Sequence, residues 1–379
     1  MELKDLRAKI DCIDDQMVAL IKKRLEIVKS IGEVKKQTGK MINDPEREKN
    51  IIIRLTENAT DTQKMYIKRV FENVFEISKA YQNLAIKDLS KTARDIEKAV
   101  CEERNFPVKA RVACQGVRGA YSGIASDKLF EIADVTYFKN FEGVFSAVEK
   151  GLCKYGVLPI ENSTAGSVNE VYDLMREHNF YIVKSVRIPV THYLVANECA
   201  SIKDIKEIIS HEQALSQCKK YLQKFQTTTV TACANTAVGA KTILDSGRTD
   251  IACICSRECA ELYGLKILDS NIQDSNGNYT RFIVIAKDME IYKGANRVSV
   301  MTTLPHTPGS LYKTLAKFYN AGINVTKLES RPIIGSNFEF TFYFDFECDV
   351  SRPEVLTVIS ELDHSAEKFT FLGAYAESV

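Results

Sequence analysis

The stretch LKDLRAKIDCIDDQMVALIKKRLEIVKSIGEVKKQTG, residues 3–39, sets its apolar side chains at Leu3, Leu6, Ile10, Ile13, Met17, Leu20, Ile27, Ile31 and Val34. Steps of three and four are those of one face of an α-helix, and Arg24 fills the one gap in the series. No proline interrupts before Gly39, so the spacing predicts a helix of roughly 50 Å at about 1.5 Å per residue. A compact domain of about 90 residues is only about 30 Å across. The helix must protrude and pack against something else, most simply a second copy of itself.

Around this helix, residues 1–88 read as helix throughout. Gly39 is placed as a C-cap. Asp44-Pro45 starts a second helix, with aspartate as N-cap and proline at the first helical position, and a third runs over 61–84. A charged stretch, 89–107, closed by Phe106-Pro107, is expected to be a helical linker. Residues 108–288 alternate short strands and helices, as an α/β unit should. Strands are expected at 108–114, 155–160, 181–188, 228–232, 250–255 and 281–286, with helices between them, for example at 141–150 and 202–209. Residues 296–379 read strand 298–303, helix 310–319, strands 323–329 and 338–346, helix 353–362 and strand 369–376. That β-α-β-β-α-β order is ferredoxin-like. The chain is therefore expected to be multidomain: 1–88, a linker 89–107, 108–288 in two lobes, and 296–379.

With 379 residues, net charge +1 and 45% hydrophobic content, the chain suits a soluble globular protein. Near-neutral charge argues against a nucleic-acid partner, and no apolar run approaches the about eighteen residues of a membrane span. The start, Met1-Glu2-Leu3-Lys4-Asp5, lacks the order of a signal peptide. Eleven cysteines in apolar contexts indicate reduced thiols and a cytoplasmic location. Cys253, Cys255 and Cys259 match no common zinc spacing and read as small buried hydrophobes. Neither metal nor other cofactor is expected.

The charges of the helical segment are unusual. Arg24 interrupts the seam, with Arg7 and Lys35 immediately beside it. Asp44, Arg47 and Glu48 share one turn of the second helix. On the third, Ser78 and Gln82 are four apart on the stripe of Phe71, Val74, Phe75 and Ala85. A buried unpaired cation is costly, so Arg24 should face an anion or a carboxylate. Seam arginines that only fix register, and solvated flank charges, are the bland alternative. Cations and neutral hydrogen-bonders on three helices describe a pocket for a small polyanion.

These residues carry a resemblance. Leu6-Arg7-Ala8-Lys9-Ile10-Asp11, Lys23-Arg24-Leu25, Gly32-Glu33-Val34-Lys35, Asp44-Pro45-Glu46-Arg47-Glu48 and Glu76-Ile77-Ser78 with Gln82 resemble the all-helical chorismate mutases. The resemblance implies an intertwined homodimer whose sites each take Arg7 from the other chain. Arg7, Arg24 and Arg47 would hold carboxylates of chorismate, and Lys35 and Gln82 would donate to its ether oxygen. Glu48 would accept from the substrate hydroxyl, helped by Asp44 and Ser78.

In the middle segment, Gln115-Gly116-Val117-Arg118-Gly119-Ala120-Tyr121-Ser122 follows a strand and opens a helix, a common place for an anion. Leu158-Pro159-Ile160-Glu161-Asn162-Ser163, then Tyr172-Asp173-Leu174, and Asn278-Tyr279-Thr280-Arg281-Phe282 resemble prephenate dehydratases. Ser210-His211-Glu212-Gln213-Ala214-Leu215 with Gln217-Cys218 is a partial match. The resemblance implies two lobes of periplasmic-binding-protein type with the site in the cleft. Thr280 would serve the leaving hydroxyl of prephenate. Ser122, Asn162, Ser163, Thr164, Asn235 and Thr236 are candidate binders, with Glu161 and Phe282 in the same motifs. Arg281 is either an anion partner or a structural ion pair, and His211 a hydrogen-bonded structural histidine. Val117, Ala120 and Glu212 depart from the family pattern, and Ala120 lacks a hydroxyl found in relatives.

In the last segment, Thr307-Pro308-Gly309-Ser310-Leu311 opens a helix, and Asn324 leads toward Glu329-Ser330-Arg331-Pro332. These resemble the ACT regulatory domain, although Ser310 and Tyr312 depart from its usual small-aliphatic helix start. The resemblance implies allosteric phenylalanine bound between paired domains by Gly309, Ser310, Leu311, Asn324, Glu329, Ser330, Arg331 and Pro332. The combination implies a bifunctional enzyme of phenylalanine biosynthesis, assembled as a homodimer or higher homo-oligomer. A non-catalytic metabolite-sensing dimer and an arogenate-preferring dehydratase are the alternatives.

Overall fold

The structure is a computed structural model that describes residues 2–40, 42–86, 89–333 and 339–378. Lys87 and Asp88, at the end of the expected helical segment, and Phe338, at the start of an expected strand, lie outside them. The chain divides into two compact units, each joining distant stretches: Met1–Cys101 with Val300–Phe371, and Glu102–Ser299 with Leu372–Val379.

The first unit opens with α1 (Leu3–Thr38), whose 36 residues span roughly 54 Å. Glu2 and Asp5 form a capping box at its start, and Gly39 ends it in the left-handed region at φ +65°. α2 (Pro45–Thr56) starts as its sequence predicts, with Asp44 accepting from the Arg47 N–H at 3.0 Å. α3 (Asp61–Ile86) runs beside the second half of α1 in the same direction. Arg24 meets Ser78, Gly32 lies against Gln82 and Ile86, and Lys36 Nζ donates to the Ile86 carbonyl at 2.5 Å. A Cβ on Gly32 would stand 3.2 Å from Ile86 Cγ2, so this glycine sets the close approach of the two helices. The first half of α1 keeps its apolar stripe in solvent, with Leu3 63% and Leu20 66% exposed. α4 (Lys91–Cys101) occupies the stretch expected to be a linker. It packs firmly, with Ala93 and Ile96 fully buried.

The second unit runs β1 (Lys109–Gln115), α5 (Tyr121–Leu129), β2 (Ile132–Phe138), α6 (Phe141–Glu149), β3 (Tyr155–Asn162), β4 (Gly166–Ser167), α7 (Asn169–Glu177), β5 (Tyr181–Pro189) and β6 (Tyr193–Ala196). It continues with β7 (Glu207–His211), α8 (Glu212–Gln217), α9 (Lys219–Leu222), β8 (Thr229–Cys233), α10 (Thr236–Ser246), β9 (Ile251–Cys255), α11 (Arg257–Leu262), β10 (Lys266–Ser270) and β11 (Tyr279–Ala286). One sheet has the order β5-β11-β3-β1-β2, with β4 on β3. The other has the order β10-β6-β9-β7-β8. The chain leaves the first sheet after β5 and returns at β11, so the connections 190–192 and 271–278 join two lobes. Val112, Val157 and Val284 centre one core, and Val195, Ile243 and Cys253 the other. Cys255 and Cys259 belong to the second core too, which accounts for the cysteine cluster as buried hydrophobes.

The expected helix at 202–209 is corrected here. Only Ile202–Asp204 forms a helical turn, and Glu207–His211 is a strand flanked by β8 and β9. Ile208 is 0% and Ile209 8% exposed. Consecutive residues buried on opposite faces are what a central strand provides and a surface helix does not.

The remaining elements are β12 (Arg297–Thr303), α12 (Ser310–Asn320), β13 (Asn324–Pro332), β14 (Phe340–Glu347), α13 (Pro353–Ser365), β15 (Lys368–Tyr375) and β16 (Glu377–Ser378). The first six follow the expected β-α-β-β-α-β order, in a sheet β13-β14-β12-β15 with β13 at an edge. In the first unit α13 packs on α3 and α4, and α12 on α3. Asn83 Nδ2 donates to Glu361 Oε1 at 2.8 Å, and Lys317 Nζ to the Glu361 carbonyl at 3.0 Å. β16 leaves that sheet and pairs in parallel with β5, Glu377 opposite Ser185. Among the described residues no helix is long and apolar enough to cross a membrane.

Candidate active sites

Helix spacing alone gathers the first site. Arg24 donates from NH1 to the buried Ser78 hydroxyl, which itself donates to the Val74 carbonyl one turn below. Burial lowers the Arg24 pKa from its usual value, the mark of a cation withdrawn from water among neutral partners. One turn along α3, Gln82 is 7% exposed and its Oε1 is buried without a hydrogen-bond partner. Lys35 Nζ donates to the Ile42 carbonyl at 2.8 Å. Glu48 on α2 pairs with Lys79 at 3.2 Å, and Lys79 also meets Glu76 at 2.6 Å. Burial opposes the Lys79 charge, but the two carboxylates outweigh it and hold its pKa up. Arg24, Lys35, Glu48, Ser78 and Gln82 therefore all sit partly or fully buried on the α1–α2–α3 bundle. Arg7, Asp44 and Arg47 are exposed, and Asp44 is occupied as the α2 cap. Lys79 was not anticipated: its spacing gives no sign that it would meet Glu48 on another helix.

The second site is a cavity of about 330 Å³ in the two-lobed unit. Of the sequence-predicted binders, Ser122, Asn162, Asn235, Thr236, Thr280 and Phe282 line it. Among the described residues, its lining includes no lysine or arginine. The starts of α5 at Tyr121–Ser122 and of α10 at Thr236 line it instead, and helix starts carry the positive ends of backbone dipoles. Asn235 caps α10, accepting from the Val238 N–H at 2.8 Å. Ser122 donates to the Gln115 carbonyl at 2.6 Å, which ties the helix start to the end of β1. Val117 packs on the second core, and Ala120 lines the cavity while α5 starts without a side-chain cap. Glu212 is exposed at the start of α8.

Four expected binders are not among the cavity-lining residues. Glu161 is paired with Arg281 at 3.1 Å. Ser163 accepts from the Tyr279 N–H at 2.9 Å and donates to the Gly277 carbonyl at 3.2 Å, fastening the turn before β11. Thr164 donates to Asn162 Oδ1 at 2.7 Å. Arg281, only 4% exposed, lies on the ion-pair side of β11. Strand alternation explains the split, since Thr280 and Arg281 point to opposite faces.

One amide organises the Thr280 hydroxyl. Asn162 Oδ1 accepts from the Thr164 and Ala165 N–H groups at 3.1 and 2.9 Å as well as from the Thr164 hydroxyl. With its oxygen so engaged, Nδ2 faces Asn278 Oδ1 at 2.7 Å and Thr280 Oγ1 at 2.9 Å. Nδ2 also reaches the Tyr279 carbonyl at 3.1 Å, so its two hydrogens are shared among three acceptors; where Thr280 Oγ1 accepts one, its own proton stays available to a ligand. The network continues from Asn278 Nδ2 to Gln217 Oε1 at 3.0 Å, and from there to His192 Nε2 at 2.8 Å. His192 is 2% exposed and lines the cavity. Burial lowers its pKa, against the opposing hydrogen bond of Gln217. Sequence reasoning passed over His192, which sits in a plain Val-Thr-His-Tyr run. His211, expected to be structural, lines the cavity and accepts from the Gln213 N–H at 3.3 Å.

In the C-terminal segment a second cavity, of about 340 Å³, is lined by Ser310 and Leu311 together with Leu304, His306, Glu339 and Phe342. Gly309 sits beside it at φ +87°, starting α12. Asn324, Glu329, Ser330, Arg331 and Pro332 lie on β13 and do not line it.

Comparison with known proteins bears on both sites. The family "Chorismate mutase type II" matches residues 6–83, and "Prephenate dehydratase" matches residues 112–290. The chain is 32% identical to the bifunctional chorismate mutase/prephenate dehydratase of Aquifex aeolicus, covering 100% of this chain and 99% of that protein. It is 38% identical to an arogenate dehydratase/prephenate dehydratase of Arabidopsis thaliana, over 70% of this chain and 73% of the relative. A prephenate dehydratase of Arthrobacter aurescens, solved in complex with L-Phe, is similar at TM-score 0.65 and 25% identity, over 70% of this chain and 90% of that one.

The His192 network gives a signed pH dependence. A histidine whose folded pKa is lowered contributes stability at high pH that is lost as pH falls through the ordinary value of about 6.5. Thermal melts of the wild type between pH 7.5 and 5.5 are expected to show a fall that His192→Gln reduces. An equal fall in both proteins would contradict a buried neutral imidazole.

Proposed function

The chain belongs to the bifunctional chorismate mutase/prephenate dehydratases of phenylalanine biosynthesis, and we propose how its own side chains carry the two reactions. Chorismate has two carboxylates and an enol ether, and it rearranges within one molecule to prephenate. No nucleophile or acid–base pair is needed. The reaction needs a near-attack conformation and positive charge where the ether oxygen becomes negative. The observation that carries the assignment is Arg24 held on Ser78, one turn from the buried and incompletely bonded Gln82. In this reading Arg24 and Arg47 bind carboxylates, Lys35 and Gln82 donate to the ether oxygen, and Glu48 accepts from the ring hydroxyl. Asp44 and Ser78 complete the binding set. The exposed apolar stripe of α1 supports a homodimer in which a second copy supplies Arg7. That would make the mutase an intertwined all-helical dimer.

Prephenate then takes up one proton, loses its ring hydroxyl as water and its ring carboxylate as CO2, and gives phenylpyruvate. In the proposed mechanism the Thr280 hydroxyl donates to the departing oxygen while its own oxygen accepts from Asn162. A threonine is a poor acid, so its contribution is a fixed donor in a cleft that excludes water. The side-chain carboxylate is received at the starts of α5 and α10 by Ser122, Asn235 and Thr236. The ring carboxylate faces Pro159, Val190 and Phe282, where weak solvation favours release of CO2.

For the C-terminal segment the proposal is a ferredoxin-like ACT domain that binds phenylalanine. The cavity at Ser310 and Leu311 and the edge position of β13, which carries Glu329–Pro332, support a site completed by a second copy. The relative solved with L-Phe supports the same ligand. The functional domains are proposed at 1–88, 108–288 in a periplasmic-binding-protein-like arrangement, and 296–379, with 89–107 between the first two.

Lys35→Ala is expected to lower the kcat of chorismate loss by about 10²–10³-fold with the oligomer unchanged in sedimentation; a fully active variant would refute the assignment. Thr280→Ala should abolish phenylpyruvate formation and spare chorismate rearrangement, followed together by ultraviolet absorbance. Loss of both activities would contradict separate sites. Titration calorimetry with phenylalanine should register saturable binding, and the absence of heat at millimolar ligand would remove the sensor.

A further inference from the structure

We infer that Glu377 is a positioning residue for the dehydratase reaction, an inference that rests on the reading of Thr280 given above. Glu377 lies on β16, which follows β15 after a single residue and adds a short parallel strand beside β5. Its carboxylate is 7% exposed and meets three arginines. Arg187 is bound twice, by NH2 at 2.9 Å and Nε at 3.2 Å. Arg297 NH2 stands at 2.9 Å and Arg281 Nε at 3.5 Å. Arg281 also donates from NH2 to the Tyr375 hydroxyl at 2.6 Å and from NH1 to Glu161 at 3.1 Å.

Arg281 follows Thr280 directly, and the β11–β3 register shifts between Arg281 and Phe282. A bulge of this kind changes the aim of neighbouring side chains. Thr280 and Arg281 occupy opposite faces of β11, so the ion cluster grips the back of the strand whose front presents the hydroxyl. Glu377 is the carboxylate that all three guanidinium groups share, so removing it leaves their mutual repulsion less compensated. Removing it lets Arg281 move, and the bulge with it. The hydroxyl then shifts relative to the leaving oxygen, while the binding groups on α5 and α10 stay in place. The effect falls on the chemical step more than on binding, since a displacement of about 1 Å can cost on the order of 10²-fold in rate.

The test uses the full chain with Glu377→Ala, Glu377→Gln, Glu377→Asp and Thr280→Ala, assayed with prephenate and separately with chorismate. Glu377→Ala should lower the kcat of phenylpyruvate formation by about 10–100-fold, with KM within about threefold and the chorismate rate unchanged. Glu377→Asp should recover part of kcat. Glu377→Gln, nearly isosteric, should still lose kcat, and it carries the test if the alanine variant does not fold. Wild-type kcat in both the Ala and Gln variants, or Asp no better than Ala, overturns the inference. If Thr280→Ala keeps its dehydratase activity, the reading of Thr280 fails; if it is inactive while Glu377→Ala is not, only the positioning role fails.

Discussion

The two-lobed unit depends on the amide of Asn162 keeping a single orientation. Its oxygen takes three donors from the turn that follows β3, and its nitrogen serves acceptors at the start of β11. These segments are 116 residues apart in sequence, and the second follows the return crossing between the lobes. Flipping the amide would set oxygen against oxygen at Asn278 and nitrogen against three donors. Burial makes each such mismatch cost about 1–3 kcal/mol. The orientation of Thr280, the hold on Asn278 and the link through Gln217 to His192 all follow from that one choice.

In the proposed mechanism the two sites handle anions in opposite ways. The helical bundle uses formal charge, with Arg24 and Lys35 among the buried or half-buried groups and Lys79 pinned on Glu48. The cavity between the lobes is walled by hydroxyls, amides, imidazoles and helix starts, with no lysine or arginine among its described lining residues. The chemistry gives a reason for each. A rearrangement that builds charge on an ether oxygen gains from a nearby full cation. A fragmentation that expels CO2 is slowed by any cation that stabilises the carboxylate about to leave.

What could be read in advance follows from how each feature is encoded. Helices carry their neighbours at fixed intervals, so α1, the Asp44 cap, the Gly39 stop and the Ser78–Gln82 stripe were legible from spacing alone. The order of the C-terminal elements was legible because its apolar runs alternate between two clear periods. β2 was not, since it pairs on one side only and shows the pattern of a half-exposed edge. The stretch 202–209 misled because Ile202, Ile205 and Ile208 repeat every three residues, a helical rhythm that pairing with β8 and β9 overrode. In the cavity, loop motifs pointed to Asn162 and Thr280. Roles such as those of His192, Gln217 and Lys79 arise only when chain crossings bring distant residues together. Arg281 illustrates the remaining ambiguity: the motif draws attention to it, but strand alternation turns it away from its neighbour's cavity.

The interleaving of the two units bears on how the polypeptide matures. Each draws one piece from before residue 300 and another from after it. As the chain emerges from the ribosome, α3 and α4 wait for α13 to pack on them, and β5 remains a sheet margin until β16 arrives. Neither unit can close early. A chain interrupted within the C-terminal segment would leave one unit without α13 on α3 and α4 and the other without β16 beside β5, so both would lack a packing or pairing partner.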